Sequence, residues 1–299
     1  MHGDTHVSNY TAITAPTQSI QAAGIRFAYR PFGKPIGVPL VFNQHFIGNL
    51  DNWDPAVLDG LAKEREVVVF NNEGVASSSG EVPNNFAGMA KNAIDFIEAL
   101  GLKLVDILGF SIGGMVSQGI ALRRPDLVRK LILVGTAPRN HDAGGRDGYR
   151  TREKQAIFGA KYDQPENLWL KVFFTDSDRS QAAGDEFLKR YLARTADRDV
   201  PVGSNVAAAQ GAAIRQWGDY PGEHFAYLRH IRQPTLVVSG THDVIVYTVN
   251  SLHLVQHLEN AKLILCLDAN HGSLYQYLNE LVVEAKRFFA EPVKQQAAA

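Results

Sequence analysis

The chain has 299 residues, of which 45% are hydrophobic and 20% charged, as in an ordinary globular protein long enough for one large domain. Its 30 Lys and Arg residues nearly balance its 31 Asp and Glu residues, so no basic field favours nucleic acid or a membrane surface as a partner. No apolar run approaches the roughly 20 residues of a membrane span, and no secretory signal is evident at the N-terminus, so we expect a cytoplasmic protein.

Short apolar runs alternate with amphipathic segments along the chain, a pattern typical of a mostly parallel sheet wrapped by helices. The predicted strands are residues 25–29, 39–43, 67–71, 104–108, 131–134, 235–238 and 263–267. The later ones are nearly continuous Val, Ile and Leu, so we expect them to be buried on both faces. The single cysteine, Cys266, lies in the last strand, where we expect an inert core thiol.

Apolar residues at helical spacing predict two amphipathic helices that pack on this sheet. The first runs from Phe86 to Leu100, and Gly101 is expected to end it, because glycine readily adopts the left-handed conformation of a helix C-terminus. The second runs from Leu274 to Phe289. Both apolar stripes are interpreted as core.

The alternation of strands and helices fails once, between residues 139 and 224, where no strand signal occurs. Helices are predicted there around residues 150–158, 166–174, 181–194 and 205–217. About eighty residues are far too many for a connecting loop. We therefore predict a core domain of residues 1–138 and 225–299, with a helical cap of residues 139–224 over the C-terminal edge of the sheet, where open α/β folds bind ligands.

The sequence Gly109-Phe110-Ser111-Ile112-Gly113 lies where a predicted strand runs directly into a helix. The pattern G-x-S-x-G at such a junction is typical of a nucleophile elbow, a sharp turn that exposes a serine hydroxyl. Glycine on both sides is needed because bulky Cβ atoms would clash with the neighbouring strand and helix. Taken alone, Ser111 could also be an ordinary helix N-cap.

A serine nucleophile needs a base to take its proton and a third group to orient that base. Asp243 follows the strand at 235–238, and His271 follows the strand at 263–267, so each lies at the same sheet edge as Ser111. Asp243 alone could be a turn residue, and His271 alone could be structural. The three positions together, in the order Ser, Asp, His, predict a catalytic triad.

Three segments carry a resemblance to the α/β-hydrolase superfamily: the elbow at 109–114, the loop at 72–80 and Ala269-Asn270-His271-Gly272. The chain resembles its branch of small cap-bearing esterases, carbon–carbon hydrolases and cofactor-free haloperoxidases, over about residues 25–289. The resemblance implies an α/β-hydrolase fold, with a mostly parallel central sheet, flanking helices and an inserted helical cap. It also implies Ser111 as nucleophile, His271 as base and Asp243 as its orienter, with no metal or organic cofactor.

The resemblance further implies an oxyanion hole formed by the backbone N–H groups of Phe46 and Ile112. Because the implied nucleophile is serine, epoxide hydrolase and haloalkane dehalogenase activities are disfavoured, since those relatives use a carboxylate. Perhydrolysis is expected only as a side reaction of an acyl-enzyme, and cofactor-free oxygenation is a remote alternative.

The chain departs from the family pattern at three places. Gln44-His45 replaces the usual His-Gly before Phe46, and His45 either donates to substrate or packs under the loop. Tyr247 replaces a common proline after Asp243. Asn270 replaces the usual glycine before the histidine, and asparagine is the residue next best suited to a positive φ.

Candidate pocket residues are His45, Phe173 and Trp217. The basic residues of the first cap helix are expected to form a solvated face, with a clamp for a substrate carboxylate as the alternative; they are Arg146, Arg150, Arg152 and Lys154. His253 and His257 stand four residues apart on a helix, but without the Glu of H-E-x-x-H we expect packing and no metal site.

These features predict a serine hydrolase that cleaves a small, mostly apolar carboxylic ester, thioester or lactone through an acyl-enzyme on Ser111. Hydrolysis of a carbon–carbon bond in a diketone uses the same residues and stays open. A ligand-binding or sensor protein that keeps the triad and turns over slowly is the alternative from another class. The only partner expected is a small-molecule substrate, and a homo-oligomer stays open.

Overall fold

The computed structural model describes residues 10–140 and 152–293. Within them, eight strands form one sheet in the order β1-β2-β4-β3-β5-β6-β7-β8. The strands are β1 (Gln18–Ala22), β2 (Ile25–Gly33), β3 (Leu40–Asn43), β4 (Glu66–Phe70), β5 (Val105–Phe110), β6 (Val128–Val134), β7 (Thr235–Gly240) and β8 (Ala261–Cys266). Strands β3 to β8 run parallel, whereas β2 is antiparallel to both β1 and β4. The predicted mostly parallel sheet is confirmed.

Helices cover the sheet and connect its strands. They are α1 (Pro55–Ala62), α2 (Phe86–Ala99), α3 (Ile112–Arg123), α4 (Arg152–Gly159), α5 (Asn167–Phe173), α6 (Asp178–Tyr191), α7 (Ser204–Gly218), α8 (Val249–His257), α9 (Ser273–Gln276) and α10 (Leu278–Ala290), with a 3-10 helix at Ala226–His230. Gly101 has a φ of +76° and follows α2, as predicted. The predicted final helix is divided at Tyr277 into α9 and α10. None of the helices in the described ranges is long and apolar enough to cross a membrane.

All seven predicted strands are present. The eighth strand, β1, was not predicted from the sequence. Strand β1 lies at the sheet edge, where it pairs only with β2, and Ala22 is its one buried residue. A polar edge strand held by backbone hydrogen bonds leaves little apolar periodicity to detect.

The expectation of burial on both faces is wrong for β8. This strand forms the other edge of the sheet, and the Leu265 side chain is 42% exposed. Cys266 on the same strand is buried, and burial raises the pKa of its thiol to about 11. The thiol therefore stays protonated at neutral pH, as an inert core residue would.

Helices α4 to α7 are inserted between β6 and β7, and no strand interrupts them in the part of residues 139–224 that the structure describes. Helices α5, α6 and α7 correspond to those predicted at 166–174, 181–194 and 205–217. Helix α4 corresponds to the one predicted at 150–158; residues 150 and 151 lie outside the described ranges. The division into core and cap domains stays a prediction.

A buried ion pair fixes α6 to the core. Asp54 caps the N-terminus of α1 and is fully buried, and Arg190 of α6 donates to both of its carboxylate oxygens. The distances are 2.9 Å from Nε to Oδ1 and 2.7 Å from Nη2 to Oδ2. After α6, Arg194 donates through Nη1 to the carbonyl of Ile13, at 2.8 Å. These bonds hold the inserted helices in a defined position against the sheet.

Candidate active site

Ser111 lies on the sharp turn between β5 and α3. Its φ of 57° and ψ of −122° are strained for a residue with a side chain, and its N–H donates to the Val134 carbonyl of β6 at 2.9 Å. A Cβ at Gly113 would lie 2.0 Å from the Asn43 carbonyl, so only glycine fits there. The Ser111 side chain makes no capping hydrogen bond to α3, which argues against its being an ordinary N-cap. This geometry is that of the predicted elbow.

Asp243 follows β7 and His271 follows β8, and the two side chains meet in the protein interior. His271 Nδ1 donates to Asp243 Oδ2 at 2.9 Å, and both side chains are buried. Asp243 Oδ1 accepts hydrogen bonds from the N–H groups of Ile245, at 2.9 Å, and Val246, at 2.8 Å. These bonds fix the carboxylate, and the carboxylate holds the proton of a neutral imidazole on Nδ1. The lone pair is then on Nε2, as a general base requires.

Ser111 and His271 both line a cavity of about 310 Å³. Most of its other wall residues are aromatic or aliphatic and come from both the sheet side and the inserted helices. They are Phe46, Ile112, Met115, Phe158, Trp169, Val172, Phe173, Gly211, Ile214, Ile245 and Val246, together with His45, Lys154 and Arg215. The predicted cluster of Ser111, His271 and Asp243 therefore adjoins a partly open and mainly apolar space.

The loop after β3 offers one backbone donor to this cavity. The His45 N–H donates to Gln44 Oε1 at 2.8 Å, and the Ile47 N–H donates to Gln210 Oε1 of α7 at 2.7 Å. Among the described residues, none accepts a hydrogen bond from the N–H of Phe46, which lies between them. The two neighbouring amides are thus occupied, and the Phe46 amide is the one left for a ligand.

Ile112 offers the second donor. It is the first residue of α3, so its N–H has no acceptor within the helix, and it makes no other hydrogen bond in the described part of the chain. Phe46 and Ile112 both line the cavity that contains Ser111. Two unpaired backbone donors beside a strained serine are the arrangement expected of an oxyanion hole.

His45 packs under the loop and also reaches the cavity wall. Its ring lies 5.0 Å from Trp169, 5.4 Å from Phe110 and 5.5 Å from Phe173, between ring centroids. Nδ1 lies 2.9 Å from the Phe46 carbonyl and donates to it. Burial lowers the pKa of His45 to about 4, so the ring is neutral near pH 7. Nε2 is buried without a hydrogen-bond partner among the described residues.

The structure places Phe173 in the cavity wall and Trp217 outside it. The Trp217 ring packs edge-on against Phe86 at 5.4 Å, and its Nε1 donates to the Ala137 carbonyl at 3.2 Å. The face of α7 that lines the cavity is the one bearing Gly211, whereas Trp217 lies on the face buried against the core. The prediction of Trp217 as a pocket residue is therefore wrong.

The position of Lys154 contradicts the expectation that the basic residues of the first inserted helix form a solvated face. It lines the cavity, one turn before Phe158, which also does. Burial lowers the pKa of Lys154 to about 8, and the negative charge of Asp243 acts in the opposite direction. Arg152 is exposed, and Arg146 and Arg150 lie outside the described residues.

Sequence reasoning missed Arg215, Phe158 and Ile214 as cavity residues. The sequence contains part of the information needed to find them. Gly211, Ile214 and Arg215 follow helical spacing, so they can be predicted to share one face of α7. Nothing in the sequence indicates which face of α7 turns towards the serine.

One smaller expectation changes, and the expected packing of His253 and His257 is confirmed. Asn270 does not have a positive φ; its side-chain Oδ1 accepts from the Val244 N–H at 3.0 Å. It therefore joins the two loops that carry Asp243 and His271. His253 and His257 both pack against the ring of Phe225, each at 4.7 Å between centroids.

A mostly parallel sheet with a strained serine after β5 and a buried His–Asp pair after its last two strands defines the class of α/β hydrolases. The chain belongs to this family, because the model of the family described as "alpha/beta hydrolase fold" matches residues 38–276. An alpha/beta hydrolase fold protein from Chitinophaga pinensis is 38% identical, with a TM-score of 0.88, over 95% of this chain and 100% of that one. The resemblance inferred from the sequence is confirmed at the level of the family.

Two curated relatives are more distant and bear the names of different hydrolases. A protein of Rhizobium rhizogenes named "Putative carbamate hydrolase RutD" is 25% identical over 81% of this chain and 88% of its own length. The 2-hydroxymuconate semialdehyde hydrolase of a Pseudomonas species is 26% identical over 92% of this chain and 94% of its own length. The chain is therefore a hydrolase of the α/β family, and the names of these two relatives refer to different substrates.

Proposed function

We propose that the protein is a serine hydrolase that cleaves small, mostly apolar carboxylic esters, thioesters or lactones through an acyl-enzyme on Ser111. The observation that carries this proposal is the 2.9 Å bond between His271 and Asp243 at the wall of the cavity that also contains Ser111. A buried, oriented imidazole beside a strained serine is the arrangement that activates a hydroxyl nucleophile.

We assign a group to each step of this reaction. Ser111 Oγ attacks the carbonyl carbon while His271 Nε2 takes its proton, and the Asp243 carboxylate stabilises the imidazolium that results. The N–H groups of Phe46 and Ile112 stabilise the negative charge that develops on the carbonyl oxygen. His271 then protonates the leaving alcohol, and a water that it activates releases the acid and restores Ser111.

The size and lining of the cavity support a small apolar substrate. A volume of about 310 Å³ is at the lower end of the range for ligand pockets. Aromatic and aliphatic side chains, among them Phe158, Trp169 and Phe173, make up most of its wall. Short acyl chains and single aromatic rings fit such a space.

A fluorophosphonate probe tests the proposal directly. We expect one adduct on Ser111, found by mass spectrometry of the digested protein, and none in the Ser111→Ala variant. His271→Ala should reduce the labelling rate at least about 100-fold, because the hydroxyl then has no base. Labelling elsewhere in the chain, or an unlabelled wild type that is folded by circular dichroism, would contradict the proposal.

Hydrolysis of a carbon–carbon bond is the second candidate, supported by the similarity to the 2-hydroxymuconate semialdehyde hydrolase. The carbamate hydrolase relative adds a third type of carbonyl substrate. A panel of aryl esters, an aryl carbamate and a ring-cleavage diketone, compared by kcat/KM, distinguishes them. The highest kcat/KM for an ester supports our proposal, whereas turnover below a few per minute on every substrate supports a sensor.

A further inference from the structure

Strand β8 is an edge strand whose outer side is available for hydrogen bonds. The Thr235 N–H donates to the Asn260 carbonyl at 2.8 Å, and the Thr241 N–H donates to the Cys266 carbonyl at 3.0 Å. In a parallel pair the backbone groups of alternate residues face the same neighbour, so the even-numbered residues of β8 face β7. The N–H and C=O groups of its odd-numbered residues therefore face away from the sheet, where no described strand pairs with them.

This edge lacks the features that usually prevent an edge strand from pairing with another chain. Native edge strands commonly carry a proline, a bulge or several charges. The pairing of β8 with β7 is regular over Ala261–Cys266, and Lys262 is the one charged residue of the strand. Leu265 is 42% exposed, and Leu267, directly after the strand, is 70% exposed. Exposed apolar side chains thus border a row of outward-facing backbone groups.

Charged side chains lie at the two ends of this edge. At the start of β8, Lys262 pairs at 2.8 Å with Glu291, which directly follows α10, and the Lys262 side chain is 63% exposed. At the end of β8, Cys266 lines a cavity of about 220 Å³ together with Glu280, in the first turn of α10. Glu280 forms no ion pair with any residue in the described ranges. A cation thus lies at one end of the edge and a carboxylate at the other.

A second copy of the chain fits this edge when the two β8 strands run antiparallel. With a two-fold axis at Ile264, Leu263 of each copy lies opposite Leu265 of the other. Both residues face outwards, so each such pair exchanges both of its backbone hydrogen bonds. The interface is then the same surface on both copies, as two-fold symmetry requires.

The charges favour the same arrangement. In this register Lys262 of one copy lies directly opposite Cys266 of the other, with both side chains on the same face of the joined sheet. Because Glu280 lines a cavity with Cys266, its carboxylate lies beside the incoming ammonium group. The symmetry repeats this contact at the other end of the interface. Two pairs of opposite charges therefore flank the apolar centre.

We propose that β8 is a homodimer interface, at which two copies of this chain pair antiparallel about Ile264 and join their sheets into one. Backbone hydrogen bonds between the two strands supply the pairing, and the contacts between Lys262 and Glu280 fix its direction. The inference concerns a surface outside the cavity that contains Ser111, so it does not depend on the proposed hydrolase activity.

Sedimentation velocity measurements on the wild type test the oligomeric state. We expect the sedimentation coefficient to rise with protein concentration and to reach the value of a dimer at micromolar concentrations. A protein that stays monomeric up to roughly 100 μM would overturn the proposal, because a specific interface would associate well below that concentration.

A cysteine at the axis tests the register. In Ile264→Cys the two introduced residues form a non-hydrogen-bonded antiparallel pair, with Cα atoms about 4.5 Å apart, which a disulfide can span. We expect a covalent dimer after mild oxidation, detected by non-reducing electrophoresis. Leu267→Cys is the matched control, since its side chain is more exposed but the register separates its two copies by about 20 Å. Equal cross-linking of the two variants would overturn the proposed pairing.

An exchange of charges tests the contact between Lys262 and Glu280. Lys262→Glu should weaken the dimer at least about tenfold, because two carboxylates then face each other at each end of the interface. Combining it with Glu280→Lys restores the attraction and should recover most of the lost affinity. Lys189→Glu on α6 is the matched control, since it removes a similarly exposed cation from its pair with Glu186 and should leave the dimer unchanged. A double variant that dimerises no better than Lys262→Glu alone would overturn the proposed antiparallel arrangement.

Discussion

At the scale of single residues, His45 shows how burial determines the chemistry of a side chain. Its ring lies among four aromatic side chains, and its Nδ1 donates to the Phe46 carbonyl, one residue further along the chain. A charged imidazole would be expensive in this environment. His45 is thus a neutral side chain that supports the loop carrying the Phe46 amide, and it also lines the cavity.

The depressed pKa of His45 predicts how stability depends on pH. With a pKa of about 4 in the folded protein and about 6.5 when unfolded, the unfolded state binds the proton first as pH falls. Stability from this group is therefore fully present above pH 6.5 and is lost between pH 6.5 and 4, by up to about 3 kcal/mol. Urea denaturation across this range measures the change in the free energy of unfolding.

His45→Phe should reduce that slope, because phenylalanine does not titrate. His230→Gln is the control, since His230 is an exposed histidine outside the cavity wall. An unchanged slope in His45→Phe would show that another group is responsible.

Residue chemistry explains why Ser111, Asp243 and His271 were predictable and the two cavity cations were not. The three polar residues each follow a strand that is evident from its apolar run, and parallel strands bring their carboxyl ends to one edge. Lys154 and Arg215 lie on helices of the insertion, whose orientation depends on packing between distant segments. The prediction that Trp217 lines the cavity failed for the same reason, since aromatic residues occur in protein cores as well as in ligand pockets.

At the scale of structural elements, α7 is coupled to the loop after β3. The buried Gln210 side chain accepts from the Ile47 N–H at 2.7 Å, and Ile47 has an unfavourable φ of 52°. The next helical residue, Gly211, lines the cavity. The helix therefore restrains a strained residue directly beside the proposed oxyanion donor Phe46.

Removing this restraint should impair the chemical step more than substrate binding. We expect Gln210→Met, which lacks the acceptor, to lower kcat for an ester about tenfold with KM changed less than about twofold, because an oxyanion donor acts mainly in the transition state. Gln216→Met, at an exposed position on the same helix, should behave like the wild type. A rise in KM at unchanged kcat would indicate a role in binding instead.

The strands were more predictable than the way in which the inserted helices meet the sheet. Apolar runs located every parallel strand, but β1 escaped because a polar edge strand depends on backbone pairing with β2. The helices at 166–174, 181–194 and 205–217 were located from their periodicity. Which of their residues face the cavity depends on long-range contacts such as the one between Arg190 and Asp54.

At the scale of the whole molecule, the ion pair between Arg190 and Asp54 joins the inserted helices to the core. We expect Arg190→Met to lower the free energy of unfolding by about 2 kcal/mol, because it leaves a fully buried carboxylate without its cation. Arg190 is itself partly exposed, which moderates the effect. Thermal denaturation compared with Lys189→Met, a neighbouring exposed cation, measures it. Equal melting temperatures would show that the pair contributes nothing to stability.

The insertion between β6 and β7 also separates the reactive residues along the chain: Ser111 precedes it, whereas Asp243 and His271 follow it. A ribosome therefore completes the strained serine turn more than a hundred residues before it reaches the histidine. Until residue 271 has emerged, the nascent chain holds a serine without its proposed base, and it cannot hydrolyse anything by this route. The order of synthesis thus delays the appearance of reactivity until nearly the whole sheet can assemble.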